Sequence, residues 1–127
     1  LGIEVGDPVG GLTRESRDFK FPAMTRNAFK MKLKPGNTAE YRKRHDDIWP
    51  ELSAALTAAG LSDYSIFLDE ETLSLCAVQK LADGHTADQL PFHPVVRKWW
   101  DFMADLMEVN PDNSPVCVPL PEIFHAR

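Results

Sequence analysis

Tyr41 and His45 stand four residues apart in the segment EYRKRHDDIWPEL, a spacing that puts two side chains on one helix face, about 5–6 Å apart at Cβ. Histidine has an ordinary pKa near neutrality, and a phenol hydroxyl both donates and accepts hydrogen bonds. The pair is therefore equipped for acid–base work on a sugar or a carbonyl. Both residues also fall on an apolar stripe, where a histidine buried and hydrogen-bonded for structural reasons is the plainer reading. Trp99 and Trp100 are adjacent, so on a helix they point about 100° apart and cannot share the centre of one core stripe. One of them can border a pocket. Aromatic faces stack on the C–H groups of a pyranose while polar groups at the edges read its hydroxyls, and Trp49 raises the same question. Asp112, Asn113 and Ser114 bring acceptors and donors to a tight loop just beyond the tryptophans, where turn formation is the first expectation and ligand contact the second.

Other chemistries lack their residues. His85, His93 and His125 lie on connectors or at the C-terminus, with no HxH, HExxH or Cys/His spacing, so no metal site is expected. No glycine-rich phosphate loop and no GxSxG nucleophile turn occurs. Fourteen Lys and Arg against 19 Asp and Glu give a net charge of −5, and no basic run offsets it, so a nucleic-acid partner is not expected. Cys76 and Cys117 fit neither a zinc spacing nor a disulfide framework; two reduced thiols in a cytoplasmic protein are expected, with a single disulfide as the alternative. Nothing approaches the ~20 apolar residues of a membrane span, so no membrane partner is expected.

The elements that must position these groups follow from the patterning. A chain of 127 residues, 43% hydrophobic and 26% charged, makes one globular domain. Residues 1–23 carry four Gly, two Pro and no sustained period; they read as a poorly ordered leader or expression remnant, leaving 24–127 as the domain. Phe29, Met31 and Leu33 alternate with lysines, which predicts a strand buried on one face and ended by Pro35-Gly36. Asn37 with Glu40 resembles a capping box opening a helix. Tyr41, His45, Ile48, Leu52, Leu56 and Ala59 then form its apolar stripe as far as Gly60. Pro50 interrupts that stripe, so either one kinked helix or two short ones are expected. Tyr64, Ile66 and Leu68, the turn DEET, and Leu73, Leu75 and Ala77 predict a hairpin. A second helix is expected from about Val95 to Met107, and a last strand in VCVPLPEIF whose Pro119 and Pro121 confine it to a sheet edge or bulge. The order β-α-β-β-α-β is that of an α+β ferredoxin-like sandwich, an antiparallel sheet with two helices on one face. Its other face needs a cover, and a second subunit is the economical one.

RNAFKMKLKPG, EYRKRHDDIWPEL, YSIFLD, RKWWDFMADLM and NPDNSPV resemble, in order and approximate spacing, the L-rhamnose mutarotases, and together they cover essentially all of 24–127. The resemblance implies a ferredoxin-like subunit in a homodimer with dimeric α/β-barrel-like association, no cofactor, and interconversion of the α and β anomers of L-rhamnose. It also implies that His45 is the proton-transfer residue, that Tyr41 and Tyr64 contact the substrate, and that Trp99 and Trp100 form the sugar platform. In such a reaction one group takes the anomeric hydroxyl proton while another protonates the ring oxygen, the C1–C2 bond turns, and the ring recloses from the other face. His45 is expected at the ring oxygen and Tyr41 at the anomeric oxygen, with an apolar wall for the C6 methyl. Two alternatives remain on this architecture: a dimeric monooxygenase or haem-binding protein with a helix histidine as ligand, told apart by Soret absorption, and a sugar-binding module that leaves anomer exchange unaccelerated.

Overall fold

The alternation of apolar residues with lysines does make a strand. In the computed structural model, which describes residues 24–127, β1 runs Met24–Lys32 and turns Phe29 and Met31 inward. The reading of 1–23 as a leader lies outside the described residues. The chain continues through α1 (Thr38–Asp46), α2 (Pro50–Ala58), the hairpin of β2 (Leu61–Asp69) and β3 (Ser74–Ala82), α3 (Pro94–Met103) and β4 (Val118–Pro119). The strand order is β2-β3-β1-β4 with every pairing antiparallel, which is the ferredoxin-like α+β arrangement.

Pro50 separates α1 from α2. A residue before proline is driven to extended backbone, and Trp49 has φ −62° and ψ 132°. Pro50 then occupies the first turn of α2, where its missing N–H costs nothing, and the Trp49 carbonyl accepts from Leu52 and Ser53 N–H. His45 thus closes one helix and Trp49 opens the next. The Asn37/Glu40 capping box does not form: Asn37, at φ −111° and ψ 7°, makes no side-chain cap, because its backbone is not the extended one from which the side chain reaches N2 or N3. Glu40 instead pairs with Arg44 at 2.8 Å.

Two elements are shorter than expected. α3 ends at Met103 and tightens into a 3₁₀ turn, Ala104–Leu106, because Met107 already bridges to Leu33 and Glu108 N–H donates to Lys32 O. The last strand keeps two residues at the sheet edge, since Pro119 and Pro121 bring no N–H to the ladder. The connector before α3 holds a 3₁₀ turn, Ala87–Phe92, that the composition of that stretch did not signal.

The hairpin carries a bulge that matters for the site. Ser62 faces Lys80 and Ser65 faces Val78, so Asp63 and Tyr64 together oppose Gln79. Asp63 sits at φ 49°, left-handed backbone that costs most side chains energy but that Asp tolerates better than most. The extra residue allows Leu61 and Tyr64, three apart, both to face the helices, where strict alternation would turn one of them away. Phe29, Leu52, Ala77, Leu81, Val96 and Trp99 fill the layer between sheet and helices.

Among the described residues no helix lies over the opposite sheet face. Phe67 is 62% exposed there, beside half-buried Cys76 and Val78. The segment after β4 is tied back by a bidentate pair from Arg26 to Glu122 at 2.8 and 2.6 Å, and it presents Ile123 and Phe124, 95% and 79% exposed. No helix of the described residues is long and apolar enough to cross a membrane.

Candidate active site

Between α1/α2 and the inner face of β2 lies a cavity of about 550 Å³, within the size range of small-molecule sites. Tyr41, His45, Tyr64 and Trp99 all line it. The helix period brings Tyr41 and His45 there, the bulge brings Tyr64, and α3 brings Trp99 across from the α1–α2 junction. Ile48, Leu52, Leu56, Ile66 and Leu68 supply an apolar wall, and Arg42, Ser53 and Thr57 supply polar groups. The lining is therefore largely apolar with a few convergent polar groups, the usual make-up of a site that holds one small ligand.

His45 is held on three sides. Its Nδ1 lies 3.0 Å from the Tyr41 carbonyl oxygen; a carbonyl only accepts, so Nδ1 carries the proton and a neutral ring leaves Nε2 as acceptor. Its ring lies 4.4 Å from that of Tyr41 and meets Trp99 edge-on at 5.4 Å. Burial lowers its pKa below the ordinary 6.5, and the hydrogen bond to Tyr41 O offsets this only in part, so the imidazole rests neutral at pH 7. Desolvation pushes the hydroxyls of both Tyr41 and Tyr64 up from 10, so both rest as phenols. The Tyr64 hydroxyl is buried without a hydrogen-bond partner among the described residues.

Behind His45 the aromatic packing continues through Trp49, 5.1 Å from Trp99, to Phe102, 5.4 Å from Trp49. Arg44 closes this stack from outside. Its guanidinium lies 4.4 Å from the Phe102 ring centre and bonds Phe102 O and Asp105 at 2.6 and 2.9 Å, so the turn preceding the α1–α2 break is pinned to the end of α3. The carboxylates of Glu40 and Asp105 are exposed although the Arg44 side chain is largely covered, so the worth of the network lies in fixing geometry more than in stability. Neither Arg44 nor Phe102 was read from the sequence as a site residue; Arg44 sits in a run of charges, and only its i,i+4 spacing from Glu40 marked it.

The expected tryptophan platform divides. Trp99 lines the His45 cavity, whereas Trp100 lines a second hollow of about 400 Å³ with Arg97, Asp112, Ser114 and Cys117. Both indoles are buried, Arg97 lies over the Trp100 ring at 5.3 Å, and the Trp100 Nε1–H has no partner among the described residues. The 100° step between neighbours on a helix separates them. Asp112 accepts from Ser114 N–H and Arg97, and Asn113 donates to Asp101 at 3.0 Å; neither lines the His45 cavity. Among the described residues no group of three or more His, Cys, Asp or Glu is placed to hold a metal ion, and neither cysteine is in a disulfide.

The fold and this cavity define a ferredoxin-like α+β protein with Tyr41 and His45 on the helix wall of a cavity of small-molecule size. The sequence profile of the L-rhamnose mutarotases matches residues 26–126. An L-rhamnose mutarotase of Bacteroides thetaiotaomicron is 60% identical over 102 residues, which is 80% of this chain and 98% of that protein. Another, from Flavobacterium johnsoniae, is 59% identical over 100 residues, 79% and 94% of the two chains. The crystal structure of an L-rhamnose mutarotase from Formosa agariphila superposes with a TM-score of 0.75 at 53% identity, covering 81% of this chain and 99% of that one. This chain belongs to the L-rhamnose mutarotase family.

Proposed function

We propose that the protein interconverts the α and β anomers of L-rhamnose in the cavity between α1/α2 and β2, with His45 as the proton-transfer residue. The observation that carries this reading is the His45 ring on the cavity wall, its Nδ1 held 3.0 Å from the Tyr41 carbonyl oxygen so that Nε2 is left to accept, and its ring 4.4 Å from that of Tyr41. In ring opening, Nε2 takes the proton of the anomeric hydroxyl, the bond from C1 to the ring oxygen breaks, and a tyrosine hydroxyl, assigned to Tyr41, gives its proton to that oxygen. After rotation about C1–C2 the ring oxygen attacks the other face of the carbonyl. Its proton returns to the tyrosine and that on Nε2 passes to the new anomeric hydroxyl, so both residues end as they began. This exchanges the two roles expected from the sequence, because a neutral imidazole starts as an acceptor. The transfers run in step, since a free tyrosinate is costly against an apolar wall.

Tyr64, its hydroxyl buried and unpartnered, is assigned a hydrogen bond to the sugar, and Trp99 with Leu52, Leu56 and Ile66 the surface for its C–H groups and methyl. Trp100, remote from this wall, acts on the sugar at most through the body of α3. No cofactor enters the chemistry, which needs only two protic side chains. Exposed Phe67, on a sheet face that no helix of the described residues covers, and exposed Ile123 and Phe124 support a homodimer. Thiols outside any disulfide fit a cytoplasmic place of action.

The test is saturation-transfer NMR on L-rhamnose with and without the protein. Exchange between the anomeric signals faster than in buffer alone is expected, and an unchanged rate would refute the reading.

A further inference from the structure

Gln79 stands at the middle of the sheet, on the face that packs the helices, and none of its surface is exposed. Its neighbours along β3 on that face are Ala77 and Leu81, both fully buried. A carboxamide in such a place must find hydrogen bonds or leave groups desolvated without return. Half of it is satisfied: Asn27, its cross-strand partner on β1, donates Nδ2–H to Gln79 Oε1 at 3.1 Å. The other half is not, because Gln79 Nε2 is buried with no acceptor among the described residues.

With Oε1 bonded to Asn27 of β1, Nε2 is the end of the amide left without a partner, and β2 flanks β3 on its other side. On β2 the residues opposite Gln79 are the two of the bulge, Asp63 and Tyr64. Asp63 pairs with Lys80 at 3.3 Å, on the face away from the helices, and Tyr64 turns inward to the cavity. Tyr64 brings the second buried polar atom without a partner, its hydroxyl. A donor lacking an acceptor and a hydroxyl lacking a donor are thus set on adjacent strands, in one row of the sheet, by a single backbone irregularity.

We propose that Gln79, anchored by Asn27, is a positioning residue for Tyr64: its Nε2–H donates to the Tyr64 hydroxyl oxygen when sugar fills the cavity, so that the Tyr64 O–H is committed to donating to a sugar oxygen. The proposal rests on the reading of this cavity as the rhamnose site. A hydroxyl that rotates freely divides its time between donating and accepting, whereas one whose oxygen lone pair is occupied presents its proton in a fixed direction. The row Asn27–Gln79–Tyr64 therefore reads a sugar oxygen by acceptance and orients the ring for the proton transfers at His45.

The experiment is a double-mutant cycle on the full chain, following anomer exchange of L-rhamnose as a function of sugar concentration. Gln79→Met keeps the volume and removes the donor. With Tyr64 present it is expected to lower kcat/KM about five- to tenfold, as for loss of one net hydrogen bond, chiefly through a raised KM. In a Tyr64→Phe background the same change is expected to move nothing. Asn27→Ala, which keeps Gln79 but frees its carbonyl end, serves as the second variant and is expected to give a smaller loss with the same dependence on Tyr64. Equal losses with and without Tyr64, or no loss in its presence, would overturn the proposal. Failure of the unaltered protein to accelerate exchange is a separate outcome that removes the rhamnose reading, and the positioning role with it.

Discussion

The Nδ1–H of His45 donates to the carbonyl oxygen of Tyr41, one helical turn back along α1 and 3.0 Å away. The bond fixes the tautomer and restrains the ring, so Nε2 alone is left to exchange a proton with a ligand. No carboxylate performs this task, as one does in the serine hydrolases, and the histidine is correspondingly a weak base. Burial, the larger influence, sets its pKa below 6.5.

The pH dependence follows from that direction. Activity requires neutral His45, so the catalysed exchange rate is expected to stay level from neutral pH down through 6.5 and to fall only below it, as Nε2 takes up a proton. A titration of kcat/KM, which reports the free protein, with an acid-limb midpoint at or above 6.5, would contradict the environment assigned to His45. Stability moves the same way. The unfolded chain binds this proton at a higher pH than the folded one, so the contribution from His45 is complete above 6.5 and is lost as pH falls from there through the folded value.

The left-handed Asp63 is the price of turning Tyr64 inward. Asp63→Gly is expected to preserve the bulge and the exchange rate within about twofold, since glycine adopts positive φ freely. Asp63→Val forces a β-branched side chain into that conformation and is expected to cost about 1–3 kcal/mol, read as a lower melting temperature, with weaker sugar binding as Tyr64 shifts. Equal melting temperatures for the two variants would mean that the bulge is not held by residue 63.

The strands and both faces of α1 were legible because period 2 and period 3.6 survive in FKMKLK and in the Tyr41–Ala59 stripe. The cavity was legible only through that stripe. Tyr64 was placed by alternation with Ile66 and Leu68, but the Leu61-to-Tyr64 interval that betrays the bulge looks like ordinary strand entry when read alone. Period 2 puts Gln79 on the face of Leu75 and Ala77, but that Asn27 of β1 would meet it there depends on cross-strand register, which one strand does not show. Trp99 and Trp100 could be known to diverge, yet which of them meets His45 depends on how α3 lies across the α1–α2 break. That angle is tertiary.

Phe67 on the uncovered sheet face gives the test of association. Sedimentation at micromolar concentration is expected to return twice the subunit mass for the parent chain. Phe67→Glu is expected to return one subunit mass, because it replaces an exposed apolar side chain of that face by a carboxylate that association would have to desolvate. A parent chain sedimenting as a monomer would remove the dimer from the account.

Proton transfer by His45 is tested most directly by saturation transfer between the anomers of L-rhamnose with the His45→Ala protein, its folded state checked by circular dichroism. A folded protein whose acceleration is reduced by at least ~10²-fold, the lower range of acid–base assistance, is expected, with Tyr41→Phe losing less. A folded His45→Ala protein exchanging the anomers at the parent rate would contradict that role and leave His45 as a packing residue at the end of α1.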